Sequence, residues 1–249
     1  MTESINPQTI MDFLKPRMGA RLRTWVDICT HCGMCSDTCH FYLANDRDPK
    51  MIPAYKVRFL KDLLKKKGRV DRAYLDQVYE TVYHECNACR RCTLYCPFGI
   101  DIAYLISILR GLLTSQGIVP GGLARAVANY KEFGNQMAVP DEEWVETLEW
   151  CEEETAEELV GLKIPIDKKG AKIMYTVNAR EPKFYPQDIM EVAKIFHVAG
   201  EDWTFPSGKG WDDTNLAMFI GDVETSRAVV ENTFKRAEEL GVKQIAVTE

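Results

Sequence analysis

The chain has 249 residues, 46% of them apolar and 27% charged, which is ordinary for a globular protein of about two domains with a sizeable core. Its net charge of −6 excludes the basic surface of a nucleic-acid binder, so neither DNA nor RNA is an expected partner. Nine cysteines are too few for a disulfide-stapled secreted scaffold, residues 1–13 lack the basic and apolar regions of a secretory signal, and no apolar stretch is long enough to span a bilayer. These limits predict a cytoplasmic protein, or one peripheral on the inner face of the cytoplasmic membrane, with no transmembrane segment of its own.

An amphipathic run around Leu22, Trp25 and Val26 predicts the first helix. It leads into Cys29-x2-Cys32-x2-Cys35-x3-Cys39. Two helices are expected next, over 53–67, with Pro53 at the start and Gly68 as the stop, and over 70–83. A second motif follows, Cys86-x2-Cys89-x2-Cys92-x3-Cys96, with Pro97 directly after it. Each motif has the spacing with which bacterial ferredoxins wrap three thiolates around one [4Fe–4S] cluster and send the fourth to a second cluster. The expected ligand sets are therefore Cys29, Cys32, Cys35 and Cys96 for one cluster, and Cys86, Cys89, Cys92 and Cys39 for the other. Zinc would use two CxxC pairs per ion and leave the third interval and the final x3 unexplained. Disulfides do not suit a chain expected where thiols stay reduced.

The residues around the motifs carry their own expectations. Gly33 would let the backbone approach a cluster without a Cβ, and Pro97 would sit in the first turn of the next helix. Arg90 and Arg91 lie inside the second loop, where a cation raises a cluster's potential, or they are simply solvated surface residues. His31, His40 and His84 stand near the thiols, but eight cysteines already satisfy two clusters, so hydrogen bonding to sulfur is the expected role.

After the second motif, residues 101–113 are apolar almost all round, which predicts a buried helix. Because 46 residues of helical pattern separate Cys39 from Cys86, the cluster domain reads as all-helical, without the short hairpins of small β-rich ferredoxins. Residues 122–160 read as two more helices. The second carries ten acidic and no basic residues, a solvated face or a docking face for a basic partner. It also places Cys151 on one stripe with Trp144, Leu148, Thr155 and Leu159, where an inert buried thiol is expected. From Gly170 the texture changes: strand over 171–177, helices over 186–199 and 225–240, and a buried strand over 243–248. The loop Ser207-Gly208-Lys209-Gly210 lacks the spacing of a phosphate-binding loop. The expected fold class is mainly α: an α-helical ferredoxin domain with two [4Fe–4S] clusters (1–120), a helical connector (121–160) and a partial α/β segment (161–249). The strand so near Glu249 would leave an open sheet edge, so that segment is expected to be completed by another chain or by further sequence.

The runs DICTHCGMCSDTCHFY and HECNACRRCTLYCPFGIDIAYLI, followed by a strand-led α/β segment, resemble iron–sulfur subunits related to the catalytic subunit of heterodisulfide reductase. The flavour is that of the cytoplasmic subunit of transmembrane redox complexes in sulfate-reducing bacteria; glycolate-oxidase and anaerobic glycerol-3-phosphate dehydrogenase iron–sulfur subunits share the plan. The resemblance implies an electron-transfer subunit working with other redox subunits: a membrane quinone- or cytochrome-handling subunit, a flavoprotein, or a disulfide-reducing module. It also implies CCG motifs, which carry disulfide reduction in that family. Residues 152–249 contain no cysteine, so no catalytic residue is carried over and only the eight ferredoxin-type ligands transfer. The alternative is the N-terminal part of a disulfide reductase whose CCG region lies elsewhere.

Overall fold

The computed structural model describes residues 5–248. Helix dominates, covering about 60% of the chain, and the described residues divide into two compact units.

Among the described residues, the first unit comprises 5–120 with 218–222. Its helices are α1 (Pro7–Leu14), α2 (Ala20–Asp27), α3 (Met34–Asp37), α4 (His40–Ala44), α5 (Pro53–Lys56), α6 (Arg58–Lys65), α7 (Arg72–Tyr79), α8 (Arg91–Leu94) and α9 (Ile102–Ser115). The expected helix over 53–67 is thus two pieces broken at Val57. On α6 the apolar Phe59, Leu60 and Leu63 turn inward while Lys61 and Lys65 face outward, the spacing of an amphipathic helix. Gly68 ends this stretch with φ +73, its N–H returning 2.9 Å to the Leu63 carbonyl; a Cβ there would meet the Pro7 carbonyl at 2.6 Å. Helix α9 is the axis of the unit. Asp101 caps it by accepting from the Tyr104 N–H, and Ile102, Leu105, Ile106, Leu109, Leu112 and Leu113 are buried against α1, α6 and α7. Each such side chain contributes roughly 1.5–3 kcal/mol of apolar burial. Pro97 lies in a turn four residues before Asp101, so it does not open the helix.

The second unit comprises 121–217 and 223–248 of the described residues. It contains α10 (Gly121–Phe133), α11 (Asp141–Glu158), β1 (Ile173–Tyr175), α12 (Glu181–Phe184), α13 (Pro186–Ala199), β2 (Trp203–Thr204), the start of α14 (Leu216–Ile220), α15 (Val223–Leu240) and β3 (Gln244–Ala246). The strands form one parallel sheet in the order β2-β1-β3, with Ile173 beside Trp203 and Gln244, and Met174 beside Thr204 and Ile245. Strand β2 is not foreseen in the sequence because two residues carry no period. The strand expected over 243–248 is β3, but it is not buried: Gln244 is exposed and Ile245 and Ala246 half-buried, as suits an edge. The core gathers Trp144, Leu148, Cys151, Phe205 and Trp211 beneath α11 and α13. The acidic face of α11 is solvated, with Glu152 pairing Lys163 at 2.6 Å and Glu158 pairing Lys194 at 2.5 Å. No helix among the described residues is long and apolar enough to cross a membrane.

Candidate metal centres

The two cysteine loops trace the same backbone path. In the first, His31 and Gly33 have positive φ (58° and 85°); in the second, Ala88 and Arg90 do so at the matching positions (58° and 64°). Left-handed residues alternating with ordinary ones turn successive N–H groups toward one concave side, a shape that receives anions. The Ala88 N–H already points at Cys86 Sγ, 3.4 Å away. Gly33 takes this positive φ without strain, and the nearest protein atom to a Cβ placed there would be Ser36 Oγ at 3.8 Å. Three non-glycine residues hold the same conformation at roughly 1–2 kcal/mol each, which a shared loop geometry explains.

After each loop, one short helix carries the third thiol and the chain then turns before the fourth. Helix α3 carries Cys35 and packs beside α8, which carries Cys92. Cys39 is the residue before α4, and Cys96 lies beyond α8 in a turn. The consequence is an exchange of ends. One cavity is lined by Cys29, Cys32, Cys35 and Cys96, together with Tyr55, Arg58 and Ile100. The other is lined by Cys39, Cys86, Cys89 and Cys92, together with Lys56, Ile102 and Ile106. Five of the eight thiols (Cys29, Cys35, Cys86, Cys92 and Cys96) also pack on the α9 core, which ties the cavities to the rigid centre of the unit.

Both cavities suit an anionic, thiolate-held group. Burial pushes the Cys92 thiol up to about 12, with the neighbouring thiols Cys86, Cys35, Cys89 and Cys39 adding to it, and burial raises Cys35 as well. Bare thiolates are therefore disfavoured there, and metal ligation is what deprotonates such groups. At the first cavity, Arg58 Nε is buried with no hydrogen-bond partner while its guanidinium lies 3.5 Å over the Tyr55 ring. An orphaned cationic donor beside four thiols fits an anion between them.

Two histidines line the cavities. His31, exposed with Nδ1 3.3 Å from the Cys29 carbonyl, lines the first, and His40, tilted against Phe41, lines the second, while His84 turns to Glu80 at 2.6 Å. Arg90 is exposed and paired with Asp101 at 2.8 Å, and Arg91 is exposed, so neither is a buried charge at a thiol. The buried cations are two residues that no motif singles out, Lys56 and Arg110, which are 2% and 4% exposed. Nothing in their spacing separates them from surface lysines and arginines.

Cys151 is remote from these loops in sequence and fully buried, on the stripe expected for it with Trp144, Leu148 and Thr155. Leu159 falls just past the helix end. Burial raises the Cys151 thiol to about 11. In native protein at pH 8, Cys151 should resist alkylation by iodoacetamide and become reactive only on unfolding. Peptide mapping of a short alkylation pulse checks this; modification of Cys151 at the rate of a free thiol would contradict its burial.

A family model described as a 4Fe-4S dicluster domain matches residues 25–100. The Hdr-like menaquinol oxidoreductase iron-sulfur subunit 2 of Archaeoglobus fulgidus is 25% identical over 248 residues, covering 90% of this chain and 43% of the relative. The Hdr-like menaquinol oxidoreductase iron-sulfur subunit of Archaeoglobus profundus is 23% identical over 265 residues, covering 96% of this chain and 46% of the relative. The chain thus spans less than half the length of these curated relatives, and no solved structure matches it. With a match to a 4Fe-4S dicluster domain over residues 25–100 and relatives of this kind along nearly all of its length, the chain is similar to iron–sulfur subunits of the heterodisulfide-reductase-like kind.

Proposed function

We propose that this chain is an electron-transfer subunit carrying two [4Fe–4S] clusters within a larger redox complex. Cys29, Cys32, Cys35 and Cys96 hold one cluster; Cys39, Cys86, Cys89 and Cys92 hold the other. The observation that carries this reading is the exchange of ends: each cavity gathers three thiols of one motif and the last thiol of the other. When bound, such clusters take up and release single electrons. The chain's own residues do the rest. The loops aim N–H groups inward, α9 fixes the thiols, and Ile100, Ile102 and Ile106 exclude water from the cavity walls.

The relatives' names support a partner that handles a quinol, so the complex would sit at the cytoplasmic membrane with this chain peripheral to it on the cytoplasmic side. Residues 1–120 would be the cluster domain, and the rest would serve assembly with neighbouring subunits.

Anaerobically purified protein should contain about eight iron and about eight acid-labile sulfide per chain, as two cubes require. Zinc in place of iron, or about four iron in fully loaded protein, would overturn the assignment.

A further inference from the structure

Lys56 and Arg110 are both buried, and among the described residues no carboxylate pairs with either of them. Lys56 lines the cavity of Cys39, Cys86, Cys89 and Cys92; its Nζ donates to the Glu85 carbonyl and lies 5.1 Å over the Phe41 ring. Arg110, on α9, donates to the Val82 carbonyl from Nε (2.9 Å) and NH2 (2.7 Å), to the Cys86 carbonyl (2.6 Å) and to the Phe219 carbonyl (3.1 Å). These carbonyls belong largely to one place. Residues 80–84 form a wide π-type turn at the end of α7, and the chain passes from it directly into Cys86. Part of the role of the two cations is therefore to cap the negative end of a helix.

Capping accounts for the hydrogen bonds but not for two whole charges. A terminal helix dipole amounts to about half a charge, while an isolated ammonium or guanidinium taken out of water is among the costliest groups to bury. Two buried positive charges beside one four-thiol cavity call for a full anion in it. The other cavity differs: it is lined by a single cation, Arg58, whose Nε is buried but which as a residue is only half-buried.

Resting on the two-cluster reading above, we infer that Lys56 and Arg110 are the counter-charges of the cluster held by Cys39, Cys86, Cys89 and Cys92, and make it the more readily reduced of the two. Reduction adds one negative charge, and a fixed, desolvated cation stabilises the reduced form more than the oxidised one. Electrons then rest at this cluster and pass through the one at Cys29, Cys32, Cys35 and Cys96. Lys56 is the cleaner probe, because Arg110 also holds the Phe219 carbonyl.

The test is a potentiometric titration of the loaded protein, following both clusters by electron paramagnetic resonance. Lys56→Gln keeps a hydrogen-bond donor and removes the charge; Lys56→Arg keeps both. We expect the Gln variant to lower the reduced-to-oxidised ratio of one couple about tenfold at a fixed potential, equivalent to about 59 mV for a one-electron couple. The second couple stays in place, and Lys56→Arg stays near the parent protein. Loss of one cluster from Lys56→Gln, with Lys56→Arg retaining both, would equally mark the charge as what the cluster requires. Unchanged potentials in a loaded Lys56→Gln protein, or loss of the cluster from both variants, would overturn the inference and reduce Lys56 to a helix cap. Iron analysis of the parent protein separates the cases: if it lacks two clusters, the functional reading itself has failed.

Discussion

Replacing Cys39 by Ser should abolish the cluster that the second motif holds, although Cys39 belongs to the first. The residue precedes α4 with extended backbone (φ −86°, ψ 110°), which carries it out of the first loop and into the cavity of Cys86, Cys89 and Cys92. The Cys92 thiol senses the charge of Cys39, so the two are electrostatic neighbours. A serine hydroxyl is a harder donor that gives up its proton far less readily than a thiol, so one corner of the cube would be left without its ligand. Total iron should fall from about eight to about four per chain, and one of two redox couples should vanish. The decisive comparison is by class. Cys39→Ser and Cys89→Ser should remove the same couple, while Cys32→Ser and Cys96→Ser should remove the other. If Cys39→Ser instead groups with Cys32→Ser, each motif serves its own cluster and the exchange of ends is wrong.

That exchange is legible in the amino-acid sequence, because a thiol spacing of three, three and four is a strong constraint on where sulfur can point. Helices with a clear apolar face are legible for a similar reason. The helix expected over 186–199 is α13, and the one expected over 225–240 is α15 with two further residues at its start. Elements defined by their surroundings are not legible. Strand β2 has two residues, α3 and α8 have four each, and the π-type turn at 80–84 has no sequence signature of its own. The left-handed conformation at His31, Ala88 and Arg90 is hidden too, since none of these residues advertises it as Gly33 does. Charge is hidden in the same way. Arg90 and Arg91 sit inside a motif yet face solvent, whereas Lys56 lies 30 residues before Cys86 and is drawn inside by the Glu85 carbonyl. Distance along the chain says little about distance to a site once helices fold back on one another.

Trp144→Ala should be the most destabilising single change in the second unit. Its ring is fully buried, stacked on Trp211 with centroids 4.5 Å apart and 14° between planes, and meets Phe205 edge-on at 5.6 Å. Its indole N–H donates 2.9 Å to the Pro206 carbonyl. Truncation would leave a cavity walled by Trp211 and Phe205, lose the stacking and orphan that carbonyl. Trp→Ala in a packed core costs about 3–5 kcal/mol, and for a chain of this size that corresponds to a midpoint about 10 °C lower. Trp144→Phe retains most of the packing and should cost about half as much, chiefly through the lost hydrogen bond and incomplete filling. The eight motif thiols all lie in the first unit, so the folded Ala variant should keep its iron while its near-ultraviolet circular dichroism melts early. A midpoint within about 2 °C of the parent would mean that the packing of Trp144 against Phe205 and Trp211 is not what holds this unit together, a result that the closeness of the stacked rings argues against.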